Sequence, residues 1–285
     1  MRIFCGAMYT KAVQKEGIFL VATGDLFRLM AAKNINFIRI VEPSAPITLF
    51  TDKLLNLNSS LKVSQVIIPN PKFNYEDKIY GFRHAPYLKS IYLDADAIPI
   101  RAFVKDCMAL IENSQLAVRS GMSFNHHFER EIYPAVSQFN TGVVVFNQSV
   151  IETLIPVWEQ SYLDTKIYGN FHDQPSFRLS ILKNKIQVTE LSSDFNFMSG
   201  FEYVVDKLRI IHFAGQHHYL LKNDTKLLNK FLNAKAGDYY YLYTLIYSDK
   251  HIKTLSVLKL IINEIIEKLK IYFYMKLKLE KLKNS

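Results

Sequence analysis

Cysteine is scarce in this chain, with only Cys5 and Cys107 among 285 residues. Two are too few for a disulfide scaffold and lack the paired spacing of a zinc site, so the usage fits a reduced, cytoplasmic protein. Ten glycines and nine prolines, scattered along the chain, exclude collagen-like, Gly-rich and Pro-rich low-complexity stretches. No window approaches about 18 uncharged apolar residues, which excludes a transmembrane helix at the level of sequence. The opening Met1-Arg2-Ile3-Phe4-Cys5-Gly6 has one basic residue and no apolar run leading to a cleavage site, so no secretory leader is expected. There is no internal repeat.

What is present is apolar residue, 49% of the chain, enough for a sizeable core and too much for a disordered protein. The length suits one or two domains. Lys and Arg number 35 against 26 Asp and Glu, a net charge of +9. The surplus is uneven: residues 249–285 hold nine Lys and four acidic residues, a net of +5, which leaves +4 for the first 248. The expected organisation is a globular domain over 1–248 followed by a basic tail over 249–285.

Within the first part, short aliphatic runs alternate with amphipathic segments: Ile18 to Ala22, Ile47 to Phe50, Val63 to Ile68, Ile91 to Leu93, Leu116 to Val118, Gly142 to Phe146 and Leu208 to Phe213. Runs apolar on both faces predict buried strands, and the alternation predicts helices packed on a mostly parallel sheet. After Gly24, Asp25 is placed to cap a helix with apolar positions Leu26, Leu29, Met30 and Ile35. Val150 to Tyr162 and Asp173 to Leu182 also read as helices, with Pro156 and Pro175 obscuring their limits. Polar residues stand at several strand ends: Thr23-Gly24-Asp25, Thr51-Asp52, Asp94-Ala95-Asp96 and His212. In open α/β sheets such positions converge on a ligand crevice.

Ile91-Tyr92-Leu93-Asp94-Ala95-Asp96 is the most informative segment. Extended spacing of two puts both carboxylates on one side, and two close anions favour a cation between them. Hard Mg²⁺ or Mn²⁺ takes one or two carboxylates plus substrate phosphates. The plain alternative is a solvated turn after a strand.

This segment resembles the DxD strand of GT-A nucleotide-sugar glycosyltransferases. Phe139-Asn140-Thr141-Gly142 is similar to the FNxG segment of glycosyltransferase family 8, His172-Asp173-Gln174 to its DQ pair, and His212-Phe213-Ala214-Gly215 to its HxxG segment. Pro46 to Asp52 and Lys78 to Asp96 also fit, and the match spans about residues 18 to 218 in the family's order. The resemblance implies a GT-A (Rossmann-like) α/β fold and metal-dependent transfer from a UDP-sugar or related donor to a glycan or lipid-linked acceptor, with retention.

By the same resemblance, Asp94 and Asp96 bind Mn²⁺ (or Mg²⁺) with His212, and Asp94 also meets the ribose. A lone His after an apolar run otherwise reads as a core or edge residue. Ala22, Thr23, Gly24 and Asp52 belong to the nucleobase and ribose end, where Phe27 either stacks on the base or packs in the core. Lys78 is assigned to the diphosphate and donor sugar, against a solvated helix lysine, with Arg83 as competitor. Asn140 and Thr141 are assigned to sugar hydroxyls, although Asn, Thr and Gly142 also make a tight turn. Asp173 is assigned to a donor-sugar hydroxyl, or caps its helix. Gln174 is assigned beneath the anomeric carbon, where so poor a nucleophile favours a front-face mechanism. Gly215 admits a phosphate against bare backbone. The family's Lys three residues later is His218 here, which stabilises a leaving diphosphate only when protonated.

Asn125-His126-His127 lacks acidic partners and reads as a loop, and the tyrosines at 239–241, 243 and 247 suit carbohydrate stacking, a membrane interface or the core. In the tail, Leu258, Ile262, Ile265, Leu269, Tyr272 and Leu279 recur at helical spacing between lysines, predicting an amphipathic helix suited to an anionic membrane. Peripheral attachment on the cytoplasmic face is expected, against packing on the catalytic domain or in an oligomer. No nucleic-acid recognition motif is visible. The acidic motif also resembles the opening of haloacid-dehalogenase-type phosphatases, although no later acidic pair matches. A non-catalytic sugar-nucleotide or membrane-binding protein is the third reading.

Overall fold

The computed structural model describes residues 15–121, 138–167, 172–198 and 208–213, all within the unit Met1–Asn233. The expected boundary at 248/249, the tail and the segments around His126 and Tyr240 lie outside the described residues.

The chain runs β1 (Glu16–Ala22), α1 (Asp25–Val41), β2 (Ile47–Thr51), β3 (Val63–Ile67), α2 (Tyr75–Arg83), β4 (Lys89–Leu93), β5 (Ala97–Pro99) and α3 (Val104–Leu110). It continues with β6 (Leu116–Gly121), β7 (Gln138–Asn147), α4 (Gln148–Ile167), α5 (Asp173–Lys183), β8 (Val188–Glu190), β9 (Phe197–Met198) and β10 (Ile210–His212). Seven strands form one sheet in the order β3-β2-β1-β4-β7-β6-β8. Among the described strands of this sheet only β7 runs against its neighbours, so the sheet is mostly parallel, as the alternating runs predict. β5, β10 and β9 form a second, small sheet, so the Leu208 to Phe213 run does not join the main one.

Alternation along the strands divides the core into two layers. Phe19, Phe50, Tyr92, Val144 and Phe146 face one side, where Phe82 of α2, Trp158 of α4 and Phe177 of α5 cover them. Trp158 meets Phe82 and Phe177 edge-on, with centroids 5.1 Å and 4.7 Å apart, and Phe82 stacks on Phe146. The opposite face carries Ile18 and Leu20 under the buried Met30, Ala31, Ile35 and Ile38 of α1. Strand order reverses at β1 and β4: β2 and β3 extend away from β1 on one side, and the chain returns to place β4 on the other. The crevice beyond the carboxyl ends of β1 and β4 is thus the switch point at which such sheets bind ligands.

Three local expectations change. Gly24, at φ 82°, and not Asp25, is the N-cap of α1; Asp25 is the first helical residue and pairs with Arg28 in solvent. Leu26 and Leu29 stay exposed, because the buried stripe begins only at Met30. The helix after β7 begins at Gln148 and runs on past Pro156 to Ile167. Pro175, by contrast, occupies the third position of α5, where an N–H has no intrahelical partner to lose.

Candidate active site

β4 ends at Leu93, and Asp94 to Ala97 form a turn closed by Ala97 N–H donating to the Asp94 carbonyl at 3.0 Å. The two carboxylates therefore converge through a turn, not through the two-residue alternation of an extended strand. Asn34, fully buried on α1, holds this turn from below: its Nδ2 donates to the carbonyls of Asp94 at 3.2 Å and Ala97 at 2.9 Å. The turn is not solvated, since Asp96 is only 5% exposed.

β10 brings the third group. Antiparallel pairing sets His212 opposite Ala97, beside the turn. His212 Nε2 lies 3.7 Å from Asp94 Oδ2 and 3.5 Å from Asp96 Oδ1, and one ligand atom from each residue lies within 4.8 Å of the others. Ligands of an ion bound at about 2.1 Å stand about 3 to 4 Å apart, so two carboxylates and an imidazole at this spacing fit a divalent cation. Burial alone pushes the imidazole down, but Asp96 and Asp94 outweigh it and hold His212 above its ordinary value. His212 is thus buried with its imidazole facing both carboxylates.

Gly142 of β7 lies at the centre. Its carbonyl accepts from Asp94 N–H at 2.8 Å and its N–H donates to Asn140 Oδ1 at 3.0 Å. A Cβ on it would stand 2.0 Å from His212 Cε1, so the imidazole rests against bare backbone. Asn140, Thr141 and Gly142 belong to no turn: they lie within β7, where pairing with β6 jumps from Val118↔Val144 to Arg119↔Asn140. One step on β6 spans four on β7, and the resulting bulge carries these residues into the site.

On the other side of Asp94 stands a buried charge network. Lys78 Nζ reaches Thr141 Oγ1 at 3.0 Å, Asp94 Oδ1 at 3.1 Å and Asp173 Oδ2 at 3.0 Å. Thr141 donates to Asp173 Oδ2 at 2.7 Å, and Tyr92 donates to Asp94 Oδ1 at 2.5 Å. Tyr92 and Asp94 are two residues apart, on the face that α2 and α5 cover, which is why Lys78 and Asp173 meet them there. Burial would lower the Lys78 ammonium, but Asp173 and Asp94 more than reverse this and keep it charged. Lys78 is thus no solvated lysine, and Asp173, 2% exposed, is no cap: His172 holds the N-cap position. Arg83 pairs instead with Glu159 on the surface. Gln174 follows Asp173 in the first turn of α5, partly buried.

At the carboxyl end of β1, Ala22 is buried and Thr23 donates to Asp77 Oδ2 at 2.8 Å. Asp77 also accepts from Lys72 N–H at 2.8 Å and Phe73 N–H at 2.7 Å, which fixes the loop before α2. Gly24 N–H donates to Asp52 Oδ1 at 2.9 Å, and Arg28 engages the other oxygen of Asp52. Phe27 is 44% exposed and Phe73 62%, so the core placement of Phe27 is overturned. Phe73 stands beside Gly24, whose added Cβ would lie 3.8 Å from its ring.

No protein-family model and no curated protein matches the chain. Solved structures do. A galactosyltransferase LgtC in complex with donor and acceptor sugar analogs aligns over 83% of this chain and 98% of its own, at TM-score 0.53 and 13% identity. The glycosyltransferase GlyE of Streptococcus pneumoniae TIGR4 aligns over 85% and 68%, at TM-score 0.54 and 14% identity. The bifunctional glycosyltransferase WbbM aligns over 81% of this chain and 53% of its own, at TM-score 0.52 and 14% identity. The chain has the GT-A fold.

Within this GT-A frame the described candidates other than Gln174 fall into two clusters. Asp94, Asp96, His212, Lys78, Asn140, Thr141 and Asp173 form one network; Ala22, Thr23, Gly24 and Asp52 line the ends of β1 and β2. Gly215 and His218 lie outside the described residues. Tyr92, Asn34 and Asn196 escaped the sequence reading. Tyr92 was within its reach, being two residues before Asp94 on the same strand face, and Asn34 is the one polar residue in the buried stripe of α1. Asn196, fully buried just before β9, carries no sequence signal.

Proposed function

We propose that this GT-A chain transfers a sugar from a nucleotide-diphosphate donor, with a UDP-sugar as first choice, to a glycan or lipid-linked acceptor, with retention. The observation that carries the reading is the convergence of Asp94, Asp96 and His212 at the switch point of the sheet. These three residues hold Mn²⁺ or Mg²⁺, and the ion, when bound, supplies Lewis-acid stabilisation to the departing diphosphate. Lys78 neutralises Asp94 and Asp173 together and fixes their carboxylates. Asp173 binds a donor-sugar hydroxyl, Gln174 lies below the anomeric carbon, and Asn140 and Thr141 shape the sugar pocket. Ala22, Thr23, Gly24 and Asp52 receive the nucleoside, with exposed Phe27 available to its base, and Gly215 and His218 meet the diphosphate. Motif order supports the narrower likeness to family 8.

The reaction breaks the bond from anomeric carbon to diphosphate oxygen and forms one to the acceptor oxygen on the same face, with the acceptor proton passing to the leaving phosphate. The phosphatase alternative gains nothing from the geometry, since Asp94 Oδ1, the candidate nucleophile, is held by Tyr92 and Lys78. Attachment of the basic tail to an anionic membrane on the cytoplasmic face is part of the same proposal. Among the described residues no helix is long and apolar enough to cross a membrane.

Calorimetry of nucleotide sugars with Mn²⁺, followed by hydrolysis and transfer assays, tests this. Binding of at least one donor is expected, with a loss of about 100-fold or more in turnover for Asp96→Ala and on chelation. Donor binding indifferent to both would overturn the metal reading, and turnover of simple phosphomonoesters would favour the phosphatase.

A further inference from the structure

We infer that Asn196 is a positioning residue that fixes the tautomer of His212, leaving Nε2 bare toward Asp94 and Asp96, and that its own orientation is set by the backbone N–H of Gly142 acting through Asn140.

Gly142 N–H is one unambiguous donor in this cluster. A side-chain amide can be turned over without changing its shape, so only its partners decide which end is oxygen. Gly142 N–H can only donate, and it points at Asn140 at 3.0 Å, which makes that atom the Asn140 oxygen. The same oxygen faces Asn196 at 2.9 Å, so the Asn196 atom there is its NH₂ group. The far end of Asn196 is then its oxygen, and it lies 3.1 Å from His212 Nδ1. An oxygen without hydrogen accepts, so Nδ1 carries the hydrogen, and in the neutral imidazole Nε2 keeps its lone pair.

The two carboxylates pull the other way, because an Nε2–H could donate to either. For Nδ1 to accept, Asn196 would have to turn over and set its oxygen against that of Asn140, inside a buried cluster where Asn196, Asn140 and His212 are at most 5% exposed. Two buried acceptors without a proton between them are costly, whereas the observed arrangement sets a donor against an acceptor at each of these three contacts. Asn196 cannot slide away either, since its carbonyl accepts from Arg119 Nη1 at 2.5 Å. A bare Nε2 is what a metal requires of an imidazole, and a partner on the other ring nitrogen is how such ligands are oriented.

The consequence for affinity rests on the metal reading above; the tautomer itself does not. Two-bond ¹H–¹⁵N correlation spectra of the metal-free, full-length, ¹⁵N-histidine-labelled protein in alkaline buffer, with His212 assigned by loss of its signals in His212→Gln, read the hydrogen directly. Hydrogen on Nδ1 is expected; hydrogen on Nε2 overturns the inference, whatever the metal does. Titration of Mn²⁺ alone, followed by its free-ion EPR signal, reads the consequence. Asn196→Leu should weaken binding by about 10- to 100-fold. Asn196→Asp, which still accepts from Nδ1, should keep the wild-type tautomer and restore most of the affinity. Equal Mn²⁺ affinity for wild type and Asn196→Leu, with thermal melts showing both folded, removes the positioning role. If wild type itself binds no Mn²⁺ while its hydrogen sits on Nδ1, the tautomer inference is upheld and the metal reading fails.

Discussion

On the proposed metal reading, protonation of His212 and metal binding compete for one nitrogen. The carboxylates hold the folded imidazole above its ordinary value of 6.5, despite burial. In the metal-free protein the extra proton stabilises the fold fully below the unfolded value, and that contribution is lost as pH rises through the folded one. Mn²⁺ needs the deprotonated nitrogen, so its stabilisation runs the opposite way and grows with pH. Thermal melts of wild type and His212→Gln between about pH 5.5 and 8.5 check this. Without metal the wild-type advantage should shrink as pH rises; with excess Mn²⁺ it should grow. A difference that is flat with pH in both series would show that His212 does not link the two equilibria. This coupling was only half legible in the sequence. The acidic pair and His212 stood out as polar residues at the ends of apolar runs, but Asn196 lies 16 positions before His212 with nothing to tie them, and only tertiary structure brings them together.

β7 shows why a correctly placed element can still be misread in detail. Its β-branched half, Val143 to Val145, announces a buried strand, whereas Asn140, Thr141 and Gly142 have the composition of a turn. What keeps them in the strand is pairing on both sides, to β4 through Leu93↔Val143 and to β6 through Arg119↔Asn140, with the surplus residues bulged between. The strands of the main sheet were legible wherever they were apolar on both faces; β5, β8 and β9, at two or three residues each, are too short for periodicity to show. The bulge makes Gly142 the position where element and site are least separable. Gly142→Ala puts a methyl 2.0 Å from His212 Cε1, and β7 is fixed by two neighbours, so the imidazole must be the part that moves. Overpacking of this kind costs about 1 to 3 kcal/mol. Mn²⁺ affinity should fall by about 10-fold or more while the protein still melts cooperatively. Unchanged affinity in the EPR titration would mean that the ring has room the strand pairing does not suggest.

At the scale of the whole molecule the charge divides unevenly, and the division matters more than the total. The first 248 residues carry a net of +4, while among the described residues the candidate site gathers Asp94, Asp96 and Asp173 around the ammonium of Lys78. On the proposed function, a diphosphate enters such a crevice only once a divalent cation offsets the carboxylates, and basicity elsewhere does not substitute for that ion. The last 37 residues carry the larger surplus, +5, with their lysines interleaved among Leu, Ile, Phe and Tyr. Near an anionic surface each Lys contributes about 1 kcal/mol, and the attraction falls off within a Debye length of about 8 Å at physiological salt. Replacing Lys250, Lys253, Lys259 and Lys268 by Gln keeps the chain at full length and removes up to about 4 kcal/mol of that attraction. Sedimentation with vesicles containing phosphatidylserine should show the wild type bound at low salt and released as salt rises. The quadruple variant should bind at least about 10-fold more weakly, and neither should bind neutral vesicles tightly. Equal binding of both proteins to anionic vesicles would leave the tail's apolar residues to pack against protein, and the surplus charge to keep that surface soluble.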